Sequence, residues 1–223
     1  MIEIERIKLV IQENSKNRIN SSMSLVPSSM KNLTEENWID IIYWAIKNQL
    51  SIRNQPSQPS FFLGSELDEK VRLIAKLFSG DSNRRGIIIQ GTLGNGKTII
   101  LNSLWSIYMA AGESCKIIPA HLFLDLFSDA MIRGEYSSVN YYRFSNYLFL
   151  DDLGCESENC VIFGTYHNPI QQLIYNRYDN LLPTFITTNL SDSMLAERYG
   201  ERVFDRLQEM CAFLRLSAPS YRK

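Results

Sequence analysis

Apolar residues recur with a helical period early in the chain and in short unbroken runs later. In the opening MIEIERIKLV and the residue after it, Ile4, Ile7 and Ile11 fall at helical spacing. In TEENWIDIIYWAIKN the set Trp38, Ile41, Ile42, Ala45 and Ile46 follows i, i+3, i+4, i+7, i+8, the signature of an amphipathic helix. Thr34 is the natural N-cap of this second helix, with Glu35 and Glu36 favoured by its dipole. From Phe61 onward helix and strand patterns alternate. DEKVRLIAKLF carries Val71, Ile74, Ala75 and Phe78 on one face, and GIIIQ is a wholly apolar strand of the kind buried on both sides of a parallel sheet. KTIILNSLWSIYMAA reads as a helix, CKIIPA as a strand, HLFLDLFSDAMIRG as a helix ended by Gly134, and YLFLDD as a third buried strand. NPIQQLIYNRYDN is a helix, TFITTN a strand, SDSMLAERYGERVFDRLQEMC one or two helices, and AFLRLS a last short strand. This alternation predicts an α/β fold, a three-layer parallel sheet with helices on both faces.

Between the first two helices lies the Ser-rich INSSMSLVPSSMKN, and after the second comes SIRNQPSQPS, polar and twice interrupted by proline. The expected organisation is a helical N-terminal segment over 1–55, a linker over 56–62 and an α/β core over 63–223. Composition changes little in this picture. The net charge of −1 offers nucleic acid no global attraction, so any such contact must be local. Cys115, Cys155, Cys160 and Cys211 are scattered, and no histidine completes a zinc site, so they read as free thiols. The charged N-terminus is no signal peptide, and no apolar run approaches the length of a membrane span, so a cytoplasmic protein is expected.

Candidate chemistry lies where the strands end. GTLGNGKT, Gly91–Thr98, fits GxxxxGK[ST] and stands between strand GIIIQ and a helix, the context such a phosphate loop requires. Gly91, Gly94 and Gly96 let the loop wrap, with Thr92, Leu93 and Asn95 between them, so that backbone N–H groups face phosphate oxygens. The helix that follows, through Ile99, presents its positive end to the same anion. Lys97 supplies a cation to the β- and γ-phosphates of ATP, and the Thr98 hydroxyl ligates Mg²⁺. A second metal-holding acid is expected at the end of a buried strand, and YLFLDD provides it: Asp151 for Mg²⁺ and Asp152 to orient or deprotonate the attacking water. Glu156 is a rival or helper for that water. Asn189, ending TFITTN, would sit beside the γ-phosphate or cap the helix that begins at SDSM. In YGERVFDRL, Arg202 and Arg206 stand one turn apart with Asp205 and Glu209 at salt-bridge spacing, and both arginines are expected to project outward beside a stripe of Val203, Leu207, Met210 and Leu214.

With GTLGNGKT, YLFLDDLG, FITTNLS, YGERVFDRL and SYRK in this order, the chain resembles the DnaC/IstB-type AAA+ ATPases, which include bacterial helicase loaders and transposition helper ATPases. The resemblance runs from about Leu63 to Lys223. It implies that Gly91–Thr98 is Walker A, Asp151 and Asp152 are Walker B, and Asn189 is sensor 1. It makes Arg206 the arginine finger toward a neighbouring subunit, Arg202 a second candidate, and Arg222 in SYRK a C-terminal arginine near the nucleotide. It implies a slow, partner-stimulated ATPase acting as a homo-oligomer on a replicative helicase, or as a helper on a transposase, or an ATP-dependent docking protein with negligible turnover. The segment HLFLDLFSDAMIRGEY occupies the position at which relatives touch single-stranded DNA. Here Arg133 is its only basic residue, with His121 at its start and Lys116 and Arg143 just outside, fewer cations than phosphate contacts normally use. In the N-terminal segment Trp38, Tyr43 and Trp44 are candidate partner contacts or packing residues.

Overall fold

GIIIQ is apolar at every position because both of its faces are covered. The computed structural model describes residues 24–52, 65–80, 82–157 and 160–217; the helix expected around Ile4, Ile7 and Ile11, the boundary at 56–62 and Arg222 lie outside the described residues. In chain order the elements are a 3₁₀ turn at Ser28–Met30, α1 (Glu35–Ile52), α2 (Ser65–Ser79), β1 (Gly86–Gly91), α3 (Lys97–Ala110), β2 (Cys115–Pro119), α4 (Ala120–Arg133), α5 (Ser137–Arg143) and β3 (Tyr147–Leu153). A short hairpin follows, β4 (Cys160–Ile162) and β5 (Thr165–His167), then α6 (Pro169–Asp179), β6 (Thr184–Thr188), α7 (Asp192–Tyr199), α8 (Glu201–Met210) and β7 (Cys211–Leu216).

The main sheet has the order β2-β3-β6-β1-β7, and every pairing in it is parallel. β1 is an interior strand, flanked by β6 and β7 and covered on both faces, and Ile87 and Ile89 point into one layer and Ile88 into the other. The first layer joins them to α1, α2 and α3, with Phe149 and Phe185 stacked at 4.5 Å and Tyr108 edge-on to both. The second layer packs α4, α6, α7 and α8 against Ile88, Leu148, Leu150 and Ile186. The fold expected from the alternating pattern is the one observed.

Helix ends follow local chemistry. Thr34 caps α1 as expected: its hydroxyl accepts from the Asn37 N–H, and the Asn37 side chain accepts from the Thr34 N–H in return. Gly134, at φ 73°, closes α4. SDSMLAERYGERVFDRLQEMC resolves into two helices because Gly200, at φ 87°, turns the chain between them.

The described part of the N-terminal segment belongs to the same core as the sheet. Leu25, Val26, Met30, Leu33 and Trp38 are buried in the layer that holds Ile87 and Ile89. Trp38 meets Phe78 edge-on at 4.7 Å, and the Tyr43 hydroxyl donates to Asp68 at 2.7 Å. Of the three aromatics Trp38 is buried, Tyr43 half-buried and Trp44 exposed.

The sequence pattern missed α5 and the β4–β5 hairpin. Phe163 and Gly164 make its two-residue turn at φ 51° and 77°, the left-handed pair that hairpin turns require. A bare FG dipeptide is a weak form of that signal.

Candidate nucleotide-binding site

The site forms beyond the carboxyl ends of β1, β3 and β6, three adjacent strands. At β1 the chain enters the loop through Gly91. A Cβ there would stand 2.2 Å from Asn95 Nδ2 and 2.6 Å from the Leu216 carbonyl, so close approach excludes a side chain. Gly94 and Gly96, at φ 81° and 91°, supply the left-handed turns, and Gly96 is the N-cap of α3. The Lys97 side chain curls back over the loop, and its Nζ donates to the carbonyls of Gly91 and Thr92 at 2.8 and 2.6 Å and to Asn95 Oδ1 at 3.2 Å. A buried ammonium set among loop oxygens is a cation matched by dipoles, at the place where an anion in the loop would meet it. Leu93 is exposed at the loop tip, and Ile99 lies in the first turn of α3.

β3 ends in a bulge. Its register with β6 shifts between Leu150 and Leu153, so Asp151 and Asp152 together oppose Thr187. The extra residue bends the strand out of the ladder, and Asp152 takes a left-handed φ of 54°. Its N–H donates to the Thr187 hydroxyl at 2.8 Å. The same hydroxyl donates to Asp151 Oδ1, and the Thr98 hydroxyl reaches that oxygen at 3.2 Å. Burial, with the Asp152 carboxylate beside it, raises the Asp151 carboxyl above the usual range, against the hydrogen bonds from Thr187 and Thr98. A carboxylate and a hydroxyl converging on one point suit a hard cation. Among the described residues there is no cluster of three or more His, Cys, Asp or Glu to hold a metal on its own.

Asn189 follows the last residue of β6. Its Nδ2 lies 4.0 Å from Cys155 Sγ, and its Oδ1 is buried without a hydrogen-bond partner. Ser191, and not Asn189, caps α7, its hydroxyl accepting from the Met194 N–H at 3.3 Å. An orphaned acceptor at the strand end, freed from capping, is what a site for a bound water needs. Beside it opens a cleft of about 590 Å³, lined among others by Gln90, Thr92, Asn189 and Arg215. On its wall Gln90 donates to the Leu190 carbonyl and Asp192, and Arg215 donates to Gln90 and Asp192 at 3.1 and 2.6 Å. This bracket ties the entry to the glycine-rich loop to the segment after Asn189, and no local pattern along the chain marks it.

Two expected residues lie differently from the sequence reading. Glu156 does not face water: its side chain is 1% exposed, and its carboxylate accepts from the Gly154 N–H at 2.9 Å and from the Tyr199 hydroxyl. Arg206 does not project freely beside the stripe of Val203, Leu207 and Met210. Its guanidinium lies over the rings of Tyr175 and Tyr178, with centroids at 4.2 and 4.9 Å, and its charge partner is Asp179 at 3.9 Å. Glu209 instead accepts from the Tyr178 hydroxyl. Tyr175, Tyr178 and Asp179 share one face of α6 by their i, i+3, i+4 spacing, and two aromatic faces outweigh an exposed pair within α8. Arg202 is exposed, as expected.

The parallel sheet in this order, with the glycine-rich loop after β1 and an acidic bulge ending β3, is the fold of the AAA+ P-loop NTPases. Within the class the neighbours support a DnaC-type family. A solved DnaC helicase loader is similar over 69% of this chain and 91% of its own, at 25% identity and a TM-score of 0.56. DnaI is similar over 72% and 87%, at 21% identity and a TM-score of 0.55. The replication initiator DnaA bound to AMPPCP and single-stranded DNA is similar over 73% and 50%, at 15% identity and a TM-score of 0.57. The last two carry the fold alone, and none of the three bears on the IstB branch. No family model matches the chain, and no curated protein matches it. Among the described residues no helix is long and apolar enough to cross a membrane.

Proposed function

We propose that this chain is an ATP-hydrolysing AAA+ protein of DNA replication, a helicase loader that assembles as an ATP-dependent oligomer. The observation that carries this is the convergence of Lys97, Thr98, Asp151, Asp152 and the unpaired Asn189 Oδ1 at adjoining strand ends. In this reading the β- and γ-phosphates of ATP replace the loop carbonyls as partners of Lys97. Thr98 and Asp151 hold Mg²⁺, which neutralises charge on the phosphates. Asp152 accepts the proton of the attacking water, and Asn189 Oδ1 accepts a hydrogen bond from the same water and fixes its line of attack. Arg206 of a neighbouring protomer, with Arg202 beside it and Arg222 as a further cation, supports the charge that develops in transfer. The expected partners are a replicative helicase and, through α4 and α5, single-stranded DNA. Arg133, Lys116 and Arg143 are the cations in that region, and Tyr141 and Phe144 are exposed aromatics for base stacking.

ATP turnover is to be measured with and without helicase and single-stranded DNA, for the wild type, Lys97→Ala and Arg206→Ala. Lys97→Ala should lose ATP binding and turnover. Arg206→Ala should keep ATP affinity but lose turnover by roughly 10³-fold or more, the scale of an arginine finger. Mixing the two variants should restore activity, because some mixed interfaces are whole. Unchanged turnover in Arg206→Ala would remove the finger from the scheme.

A further inference from the structure

Glu156 is a carboxylate with no access to solvent and donors from two separate elements. On one side its Oε2 accepts from the Gly154 N–H at 2.9 Å. That amide belongs to the loop carrying Asp152, whose turn is closed by the Cys155 N–H donating to the Asp152 carbonyl at 3.1 Å. Asp152 and Gly154 stand at φ 54° and 101°, so the loop needs an external tie to hold its shape. It is also tied to the next strand end: a Cβ on Gly154 would lie 2.6 Å from Leu190 Cδ1, one residue beyond Asn189. On the other side Glu156 Oε1 accepts from the Tyr199 hydroxyl and lies 3.6 Å from Arg198 Nη2, which also donates to the Glu156 carbonyl. Tyr199 ends α7, and Gly200 immediately starts α8. The Tyr199 carbonyl accepts from Gln171 Nε2 at 3.0 Å, which anchors this corner on α6.

We propose that Glu156 is a positioning residue that couples the acidic end of β3 to the corner at Gly200, from which the arginine helix α8 departs. The inference rests on the reading of β3 as the hydrolytic strand. A carboxylate this deeply buried cannot exchange a lost protein donor for water, so its two ends move together or leave a charge unpaired. A pull on α8 is thereby transmitted through Tyr199 and Arg198 to Gly154, and from there to Asp152. α8 is the element that offers Arg206 and Arg202 to a neighbour, whereas Asp152 acts on the protomer's own nucleotide. Glu156 therefore links the site a protomer completes to the site it owns, so that docking at one interface adjusts the water-activating acid behind the other.

The test uses the full chain with Tyr199→Phe, which removes one hydroxyl and leaves Glu156 and Asp152 in place, and Glu156→Gln, which keeps an oxygen for the Gly154 N–H but loses the charge facing Arg198. Amide exchange by NMR in the ligand-free protein should show Gly154 exchanging about tenfold faster in Tyr199→Phe. ATP turnover, counted per folded molecule, should show kcat lowered roughly tenfold in both variants with KM within about twofold and melting temperatures close to that of the wild type, a combination that loss of folded protein does not produce. Wild-type exchange at Gly154 in Tyr199→Phe overturns the link, and so does a parallel change in kcat and KM with a collapsed melting temperature. If the wild type turns over no ATP, the proposed function fails, and Gly154 exchange alone then decides the link.

Discussion

Replacing Arg177 with methionine keeps most of the buried stem and removes only the guanidinium. Arg177 is fully buried in α6 and among the described residues has no carboxylate partner. Its Nε donates to the Thr184 hydroxyl at 2.8 Å, Nη2 to the Pro183 carbonyl at 2.6 Å, and Nη1 to the carbonyls of Tyr142, Arg143 and Ser145 at 3.0–3.2 Å. Burial pushes the group down to about 9, so it remains charged at neutral pH, balanced by peptide dipoles. The Tyr142 and Pro183 carbonyls keep second donors in the Ser145 hydroxyl and the Leu148 N–H. Among the described residues the Arg143 and Ser145 carbonyls do not, and each stranded acceptor costs about 1–3 kcal/mol. Relief from burying a cation offsets part of that, leaving a loss of about 3 kcal/mol. In urea this should lower the unfolding midpoint by about 1 M, for a slope near 3 kcal/mol per M. Because the network joins the beginnings of β3 and β6, opposite the site, ATP turnover per folded molecule should be unchanged. A midpoint shift below about 0.3 M would refute the reasoning, since the carbonyls would then have found other donors.

Two further outcomes follow from the site. Asp151 has a raised folded pKa, so its contribution to stability is present below the unfolded value and lost as pH rises through the folded one. Asp151→Asn should therefore raise the melting temperature of the ligand-free protein at pH 7.5, with no gain near pH 3.5. Added Mg²⁺–ATP should reverse that order by stabilising only the wild type, and scanning calorimetry at both pH values checks it. Asn189→Ala should lower kcat by roughly 10- to 100-fold at nearly constant KM, since in the proposed scheme the orphaned Oδ1 would hold the attacking water and not the nucleotide body; steady-state kinetics with a larger rise in KM than fall in kcat would contradict that.

What was legible in the sequence was whatever depends on local period or on a fixed spacing. GIIIQ, YLFLDD and TFITTN read as strands buried in a sheet, which they are, and GTLGNGKT between strand and helix reads as a phosphate loop. The features missed depend on contacts across the fold. In α6, Ile170, Leu173, Ile174 and Arg177 occupy i, i+3, i+4 and i+7 of the buried stripe. A charged residue in a core position was therefore visible, but the ring of carbonyls that accepts it comes from the loops before β3 and β6. Glu156 read as a second acid beside Asp152 because proximity in sequence suggested shared work. Its partners, Arg198 and Tyr199, lie over forty residues away. The bulge at Asp151 and Asp152 was likewise invisible, since two adjacent acids after LFL do not reveal that both will face one partner residue.

Arg206 shows how local spacing misleads about charge. Glu209 at i+3 offers an exposed pair worth a few tenths of a kcal/mol. The two tyrosine faces of α6 offer a cation–π contact of about 1 kcal/mol and shield part of the stem, so the arginine lies across the helix pair, 33% exposed, instead of along α8. This resting place is compatible with the proposed role in trans because the energies are unequal. An arginine finger accelerates transfer by 10³ to 10⁵, or about 4–7 kcal/mol in the transition state, against the 1–2 kcal/mol that the tyrosines and Asp179 supply. The cradle can thus hold Arg206 in one rotamer in a lone protomer, limiting the entropy lost on docking, without competing with a neighbour's phosphate. Arg202, exposed and without such a cradle, would give up more freedom to do the same work, which favours Arg206 as the residue that reaches across.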